Sequence, residues 1–318
     1  MISRRTLFMA LPAISSFSLG TAFAQNYPQK PVKIIVPIAP GTATDGAARH
    51  LANGLGPLIG GTVVVENKMG GDGMIAGDFV AKSPPDGYTL LAAIAPHYIN
   101  YLLKTAPYHP VNDFEPILQY GRTPVVLLTS AGSPLRSFRD VIENAKQKPG
   151  ELSYATAASS TAMAASLVET MAGVKFRRIP YTSSPQAVVD TVSGVVDLTF
   201  AGVAAALPLV RSGRVRALGA TWKSSSLPEV PTFSELGLTG YDCTSPNWIF
   251  APRGTPAAII ERLSDGLVRV ASTPEFKQFA LLQGFEVDVL PAAAVKAGAT
   301  KELEKWGRLV TLSNLKPG

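Results

Sequence analysis

The chain has 318 residues, 46% hydrophobic and 16% charged, which is long and apolar enough for two domain-sized cores and excludes a disordered chain. Its 29 Lys and Arg against 23 Asp and Glu give a net charge of +6, which falls to +4 once Arg4 and Arg5 leave with the leader described next. That excess is spread along the chain with no basic cluster interleaved with aromatics, which argues against nucleic acid as a partner and leaves room for a small anionic ligand.

Residues 1–24 read as a secretory signal peptide. Arg4 and Arg5 open it, a short apolar stretch broken by Pro12, Ser15, Ser16 and Gly20 follows, and Ala22-Phe23-Ala24 is a small-x-small cleavage site. The apolar stretch is too short and too interrupted for a membrane anchor. Ser3-Arg4-Arg5 also permits the twin-arginine export route beside the general one. The expectation is a periplasmic protein, cut after Ala24.

Short β-rich runs then alternate with Ala/Leu-rich helical patterns. Strands are expected at 32–38, 62–67, 88–94, 124–130, 152–156, 176–181, 195–201 and 215–221, and helices near 44–59, 73–82, 136–147, 161–172, 186–194 and 204–212. In the first helix Ala48, Leu51, Ala52, Leu55 and Leu58 fall on one face by i, i+3, i+4 spacing. Gly173, Gly194 and Gly213 supply helix stops. Beyond residue 255 the chain reads as mostly helical, with Thr255-Pro256, Thr273-Pro274 and Pro291 as helix starts. This alternation predicts an α/β fold with helices on both sheet faces. The length calls for two lobes, with crossings near Tyr120–Ser130 and Tyr241–Ala251 and a cleft between. The lobes are placed at 25–125 plus 246–318 and at 126–245.

Catalytic chemistry finds little support. His50, His97 and His109 are scattered without HExxH or CxxC spacing, GxSxG is missing, and Asp45, Asp86 and Asp197 are isolated. His97 follows the strand at 88–94 and is a candidate to face the cleft. Cys243 is alone, so it has no disulfide partner in the chain and reads as a buried or incidental thiol. No metal or cofactor is called for.

Two corners invite a ligand. In "IAPGTATD", residues 38–45, a β-rich run ends at Pro40-Gly41 and a helix begins. The segment matches neither GxxxxGK[ST] nor GxGxxG, which argues against a nucleotide. Gly41 lets backbone approach a ligand, Thr42 and Thr44 can cap, and the first helical N–H groups favour a carboxylate. Alone, the corner reads equally well as an ordinary capped helix. A second corner in "YATAASSTA", with Ser159, Ser160 and Thr161 at its helix start, repeats the pattern. One corner per lobe would clamp an anion between two helix N-termini.

The segments "YPQKPVKIIVPIAPGTATD", "VVVENKMGGDG", "PPDGYTLL", "PYHPVNDFEPI", "IPYTSSPQAVVDTVSGVVD", "LPEVPTFSELGL" and "FAPRGTP" stand in this order and spacing. In them the chain resembles the solute-binding receptors of tripartite tricarboxylate transporters, the Bug receptors, from Tyr27 to about Val310. The resemblance implies a two-lobed type II periplasmic-binding fold that closes like a flytrap. It implies capture of a small carboxylate and delivery to a two-component membrane permease, with a monomeric receptor. A ligand-loaded signal protein that docks on a membrane sensor, or an exported enzyme, are the alternatives.

Carried over by position, the first carboxylate loop comprises Ala39, Pro40, Gly41, Thr42, Ala43 and Asp45, with Pro96 and His97 beside it. The second lobe contributes Ala157, Ser159, Ser160, Thr161, Tyr181, Ala201 and Gly202. The chain departs from the family pattern at Thr42 and Ala201, at Ala158 to Ser160, at Ala164, and at Thr182-Ser183. The aromatic usual near Ser245 or Pro246 is displaced to Trp248. These changes imply a less polar pocket than is usual in the family. The apolar Ala201 also argues against an amino acid as ligand.

Overall fold

A computed structural model describes residues 27–103 and 106–313. The signal-peptide reading falls on residues outside that range. The first sheet is built from β1 (Val32–Val36), β2 (Val63–Asn67), β3 (Thr89–Ala93), β4 (Phe114–Thr123), β10 (Ser245–Pro252) and β11 (Glu286–Pro291), in the order β11-β4-β10-β3-β1-β2. The second comprises β5 (Val125–Ser130), β6 (Ser153–Thr156), β7 (Arg177–Pro180), β8 (Leu198–Gly202) and β9 (Val215–Ala220), in the order β7-β6-β8-β5-β9. Both sheets are mixed: β1, β2 and β3 run parallel, as do β6, β7 and β8, while β10 is antiparallel to its neighbours and so is β5.

Ten α-helices flank the sheets among the described residues: α1 (Ala43–Ile59), α2 (Met74–Ala81), α3 (Pro96–Leu103), α4 (Phe138–Gln147), α5 (Ser159–Ala172), α6 (Ser184–Val192), α7 (Val203–Arg211), α8 (Ala257–Ala271), α9 (Pro274–Gln283) and α10 (Ala292–Ser313). The run of β1 follows from burial on both faces. Val32, Ile34 and Val36 enter one core with Leu51 and Leu55 of α1 and Leu263 and Leu267 of α8, while Ile35 enters another. A strand covered on both faces needs no polar alternation.

The second of these cores is continuous across both sheets. It joins Ile35, Leu91 and Trp248 to Tyr154 and Phe200, with Trp306 of α10 fully buried among them. Helix α10 packs on β4 and α3 on one side and on α5 on the other. The last helix therefore belongs to both sheets' packing, although the sequence reading placed it wholly with the first.

The chain passes between the sheets at Pro124 and returns after β9. The crossings lie side by side: Val125 N–H donates to Thr221 Oγ1 at 3.0 Å, Thr221 N–H donates to Val125 O at 2.9 Å, and Asn247 Nδ2 donates to Thr123 Oγ1 at 3.0 Å. Paired crossing segments of this kind let two lobes rotate as bodies about a few residues.

All eight expected strands are present, with ends shifted by up to three residues. The sequence reading overlooked β4, β10, β11 and α3. Pro291, read as a helix start, ends β11 and directly precedes α10, which begins at Ala292. Strand β4 contains Pro116 and Gly121, residues that ordinarily argue against a strand interior. Gly121 is required there, because a Cβ would lie 2.5 Å from Glu286 O of the neighbouring β11. Pro116 lies at a register shift opposite Phe250, where the ladder is already irregular.

Candidate ligand site

The first corner is built as the sequence suggested, but its parts have different duties. Thr42 caps α1: its hydroxyl donates to Ala39 O at 2.9 Å and accepts from Asp45 N. Gly41 adopts φ 81°, a left-handed conformation that costs glycine nothing. Ala39, Pro40 and Gly41 are exposed, and a Cβ on Gly41 would meet nothing within 4 Å. The loop therefore faces open space. At the start of α1 the Ala43 and Thr44 amides have no intrahelical acceptor, as at any helix start.

Asp45 was expected among the ligand contacts, and the structure gives it another role. Its side chain is 4% exposed. Oδ2 accepts from Gly41 N at 2.9 Å and Arg49 Nε at 3.0 Å, while Oδ1 accepts from Arg49 Nη2 at 3.0 Å and Asn67 Nδ2 at 2.8 Å. Asn67 also donates to Ile38 O at 3.0 Å. Burial works to raise the carboxyl's pKa, but hydrogen bonds from Arg49, Gly41 and Asn67 outweigh it and hold the pKa below the ordinary value. Asp45 is thus an ionised anchor that fixes the loop's shape, and the Gly41 amide is spent on it. The i, i+4 spacing of Asp45 and Arg49 was visible in the sequence, whereas the partnership with Asn67 at the end of β2 needed the sheet.

Pro96 and His97 are corrections. Both are buried at the start of α3, a helix where the sequence suggested a loop beside the ligand. His97 is stacked on Tyr108 at 5.1 Å and ringed by Tyr98, Phe114 and Phe250. Its Nε2 lies 3.0 Å from Pro110 O. A carbonyl only accepts, so Nε2 carries the proton. Burial lowers the imidazole's pKa to about 4 and keeps it neutral. The ring is buried in an aromatic core that α3 completes.

The turn between β2 and α2 was not singled out and proves central. Gly73 packs on Pro37, just past β1, where an added Cβ would come to 3.2 Å from the proline Cβ. Asn100 of α3, fully buried, donates from Nδ2 to Asp72 O at 2.8 Å. The Asp72 carboxylate reaches the second sheet's domain: Oδ2 accepts from Ser159 N at 3.1 Å. The sequence signal was an acid set within a glycine turn, Gly70-Gly71-Asp72-Gly73.

At the second corner Ala157, Ser159 and Ser160 are half-buried at the N-terminus of α5. Thr161 is a local cap. Its hydroxyl is hydrogen-bonded with Thr156 Oγ1 and donates to Ala158 O. Tyr181 is half-buried after β7, its hydroxyl donating to Asp190 Oδ2 at 2.7 Å. Ala201 is another correction. Strand alternation sends Leu198 and Phe200 to one side and Ala201 to the other, where it is fully buried with Val126, Leu128 and Val203. Gly202 ends β8 and caps α7 beside Thr123 of the crossing. Trp248 is likewise buried, near-parallel to Phe250.

The structure therefore assembles Pro37, the Gly71–Gly73 turn, Asn100 and the α5 N-terminus into one contact between the two sheets' domains. The exposed Ala39–Gly41 loop stands at the end of the same β1. Two sheets joined by paired crossings, with strand–turn–helix corners that offer backbone donors, define a periplasmic binding protein. The chain belongs to the tripartite tricarboxylate transporter receptor family, whose model matches residues 47–315. It is 33% identical to Protein BugT of Bordetella pertussis over 294 residues, 90% of each chain. Among solved structures it resembles an R. palustris protein with adipate at 30% identity and TM-score 0.84, covering 92% of this chain and all of the other. It also resembles MatC of Rhodopseudomonas palustris with bound malate, at 26% identity and TM-score 0.79, covering 89% of this chain and all of the other. Members of this family are solute-binding receptors and not enzymes. No described helix is long and apolar enough to cross a membrane.

Proposed function

We propose that this receptor captures a small carboxylate in the cleft between its lobes and delivers it to a two-component membrane permease. One observation carries the reading: the Ala39–Gly41 loop is held open to solvent by a buried, ionised Asp45, beside helix-start amides of Ala43 and Thr44 that have no intrahelical acceptor. Such an arrangement favours an anion, and the bound adipate and malate of the two structural relatives give its chemical class. The ligand-binding residues are taken as Ala39, Pro40, Gly41, Thr42 and Ala43 from the first lobe, with Ala157, Ser159 and Ser160 from the second. Tyr181 and the Gly202 backbone border them. The lobes are taken as 25–125 plus 246–318 and 126–245, with α10 spanning both. The mature receptor starts after Ala24 in the periplasm and works as a monomer.

Ligand that bridges the lobes stabilises the closed form by its differential affinity for it. The test is a thermal-shift screen of the mature chain against mono-, di- and tricarboxylates, amino acids, aromatic acids and neutral vitamins. A bound ligand stabilises by RT ln(1 + [L]/Kd), so a carboxylate at about a hundred times its Kd adds about 2.7 kcal/mol. A rise with carboxylates alone supports the reading. Rises only with neutral compounds, or no rise together with no acid released on denaturation, would overturn it.

A further inference from the structure

Asp72 is the one non-glycine residue with a positive φ among those described, at φ 52° and ψ 41° between two glycines. Aspartate tolerates this left-handed region better than most residues, yet it remains uncommon. The turn is fixed to the first lobe on two sides, by Asn100 donating to its backbone and by Gly73 lying against Pro37. From this fixed base the side chain crosses to the second lobe and accepts the Ser159 amide. Ser159 opens α5, a 14-residue helix, so the amide is one of the donors a helix start leaves without an intrahelical partner. The helix dipole there favours negative charge. Ser159 Oγ is buried at the same place with no partner among the described residues.

We infer that Asp72 is the receptor's own anion at the second-lobe corner, and that it thereby restricts the ligand to acids with a single carboxylate and an uncharged distal end. The inference rests on the carboxylate reading above. The Ala39–Ala43 corner begins two residues past Pro37, on which the Asp72 turn packs, so a ligand carboxylate held at that corner would extend toward the Asp72–Ser159 contact. A second carboxylate there would compete with Asp72 for the same amide and meet a like charge. Ala157, Ala158, Ser159 and Ser160 bring no cation to balance the pair. Asp72 also joins the lobes directly, so closure does not require a second anion from the ligand.

Binding of hexanoate and adipate, and of butanoate and succinate, to the mature chain tests this by calorimetry. Each pair matches in carbon number and differs in the second carboxylate. Asp72→Asn keeps an acceptor oxygen and a residue at ease in the left-handed region while removing the charge; Asp72→Gly removes the contact and relaxes the backbone. Wild type is expected to prefer the monocarboxylate of a pair by about tenfold or more, and Asp72→Asn to narrow that ratio by about tenfold. Asp72→Gly is expected to speed hydrogen exchange at the Ser159 amide. A wild type that prefers the diacids, a ratio unchanged in both variants, or equal Ser159 exchange in Asp72→Gly would overturn the inference. A chain that binds neither these acids nor any carboxylate of the thermal panel fails as a carboxylate receptor, and the ligand-class inference falls with it. A chain that binds mono- and diacids equally leaves the receptor reading standing and removes only the role of Asp72.

Discussion

Replacing Asp45 by alanine tests how the first corner is held. The substitution removes four hydrogen bonds, from Gly41 N, Arg49 Nε, Arg49 Nη2 and Asn67 Nδ2. Hydrogen bonds to a charged group contribute about 1.5–3 kcal/mol each when broken singly, and bonds that share one carboxylate do not add. Arg49 is 47% exposed and regains water in the variant, whereas Asp45 is 4% exposed. The cost therefore falls on the Gly41 amide and Asn67, and we expect a loss of about 2–4 kcal/mol. For a chain of this size that lowers Tm by roughly 3–7 °C. Scanning calorimetry measures it, and the same samples give ligand affinity, expected to fall about tenfold or more as the loop loses its shape. A Tm within about 1 °C of wild type with unchanged affinity would refute the anchor role. The anchor also sets a pH window. The folded carboxyl's pKa lies below its ordinary 3.8, so its stabilisation is complete above that value and is lost as pH falls through the depressed one.

Gly41→Asn keeps a residue that accepts a left-handed φ and adds a side chain where nothing lies within 4 Å; the variant should fold with near-native Tm and bind carboxylate less tightly, measured by calorimetry, whereas Gly41→Val would add backbone strain to the steric effect. His97, neutral with its pKa lowered to about 4 from 6.5, should cost the wild type about 3 kcal/mol of stability as pH falls from 6.5 to 4, because the unfolded chain takes up the proton first; denaturant titrations of His97→Phe should show a smaller loss over that window. Cys243 is buried, and burial is the largest influence pushing its thiol up to about 12, so a thiolate-seeking reagent should label it only in denaturant.

Much of the fold was legible because eight of the eleven described strands carry their own signal, and the overlooked ones show what sequence alone omits. Strand β4 passes through Pro116 and Gly121 because its neighbours, β10 and β11, already bend around them. Strand β10 follows the return crossing, and its burial on both faces removes any alternation. Helix α3 begins at a proline and is buried nearly all round, so it lacks the polar face by which a helix is usually recognised.

The site was legible at its corners and illegible between them, for a physical reason. A helix start announces itself locally through Thr42 or Thr161, because capping is a contact within four residues. Which donors remain for a ligand depends on partners from other elements. The Gly41 amide looked available until Asp45 accepted it, and the Ser159 amide until Asp72 did. Both helix starts thus carry a carboxylate from the chain itself, but the two differ in kind. Asp45 is four residues from its target, is neutralised by Arg49 and stays with its own lobe in any motion. Asp72 is 87 residues from Ser159 and belongs to the other lobe. Cleft opening as proposed would leave the first contact intact and break the second. Asp45 shapes its own loop, whereas the role proposed for Asp72, in closure and in discriminating one ligand charge from two, rests on a contact between residues 87 apart.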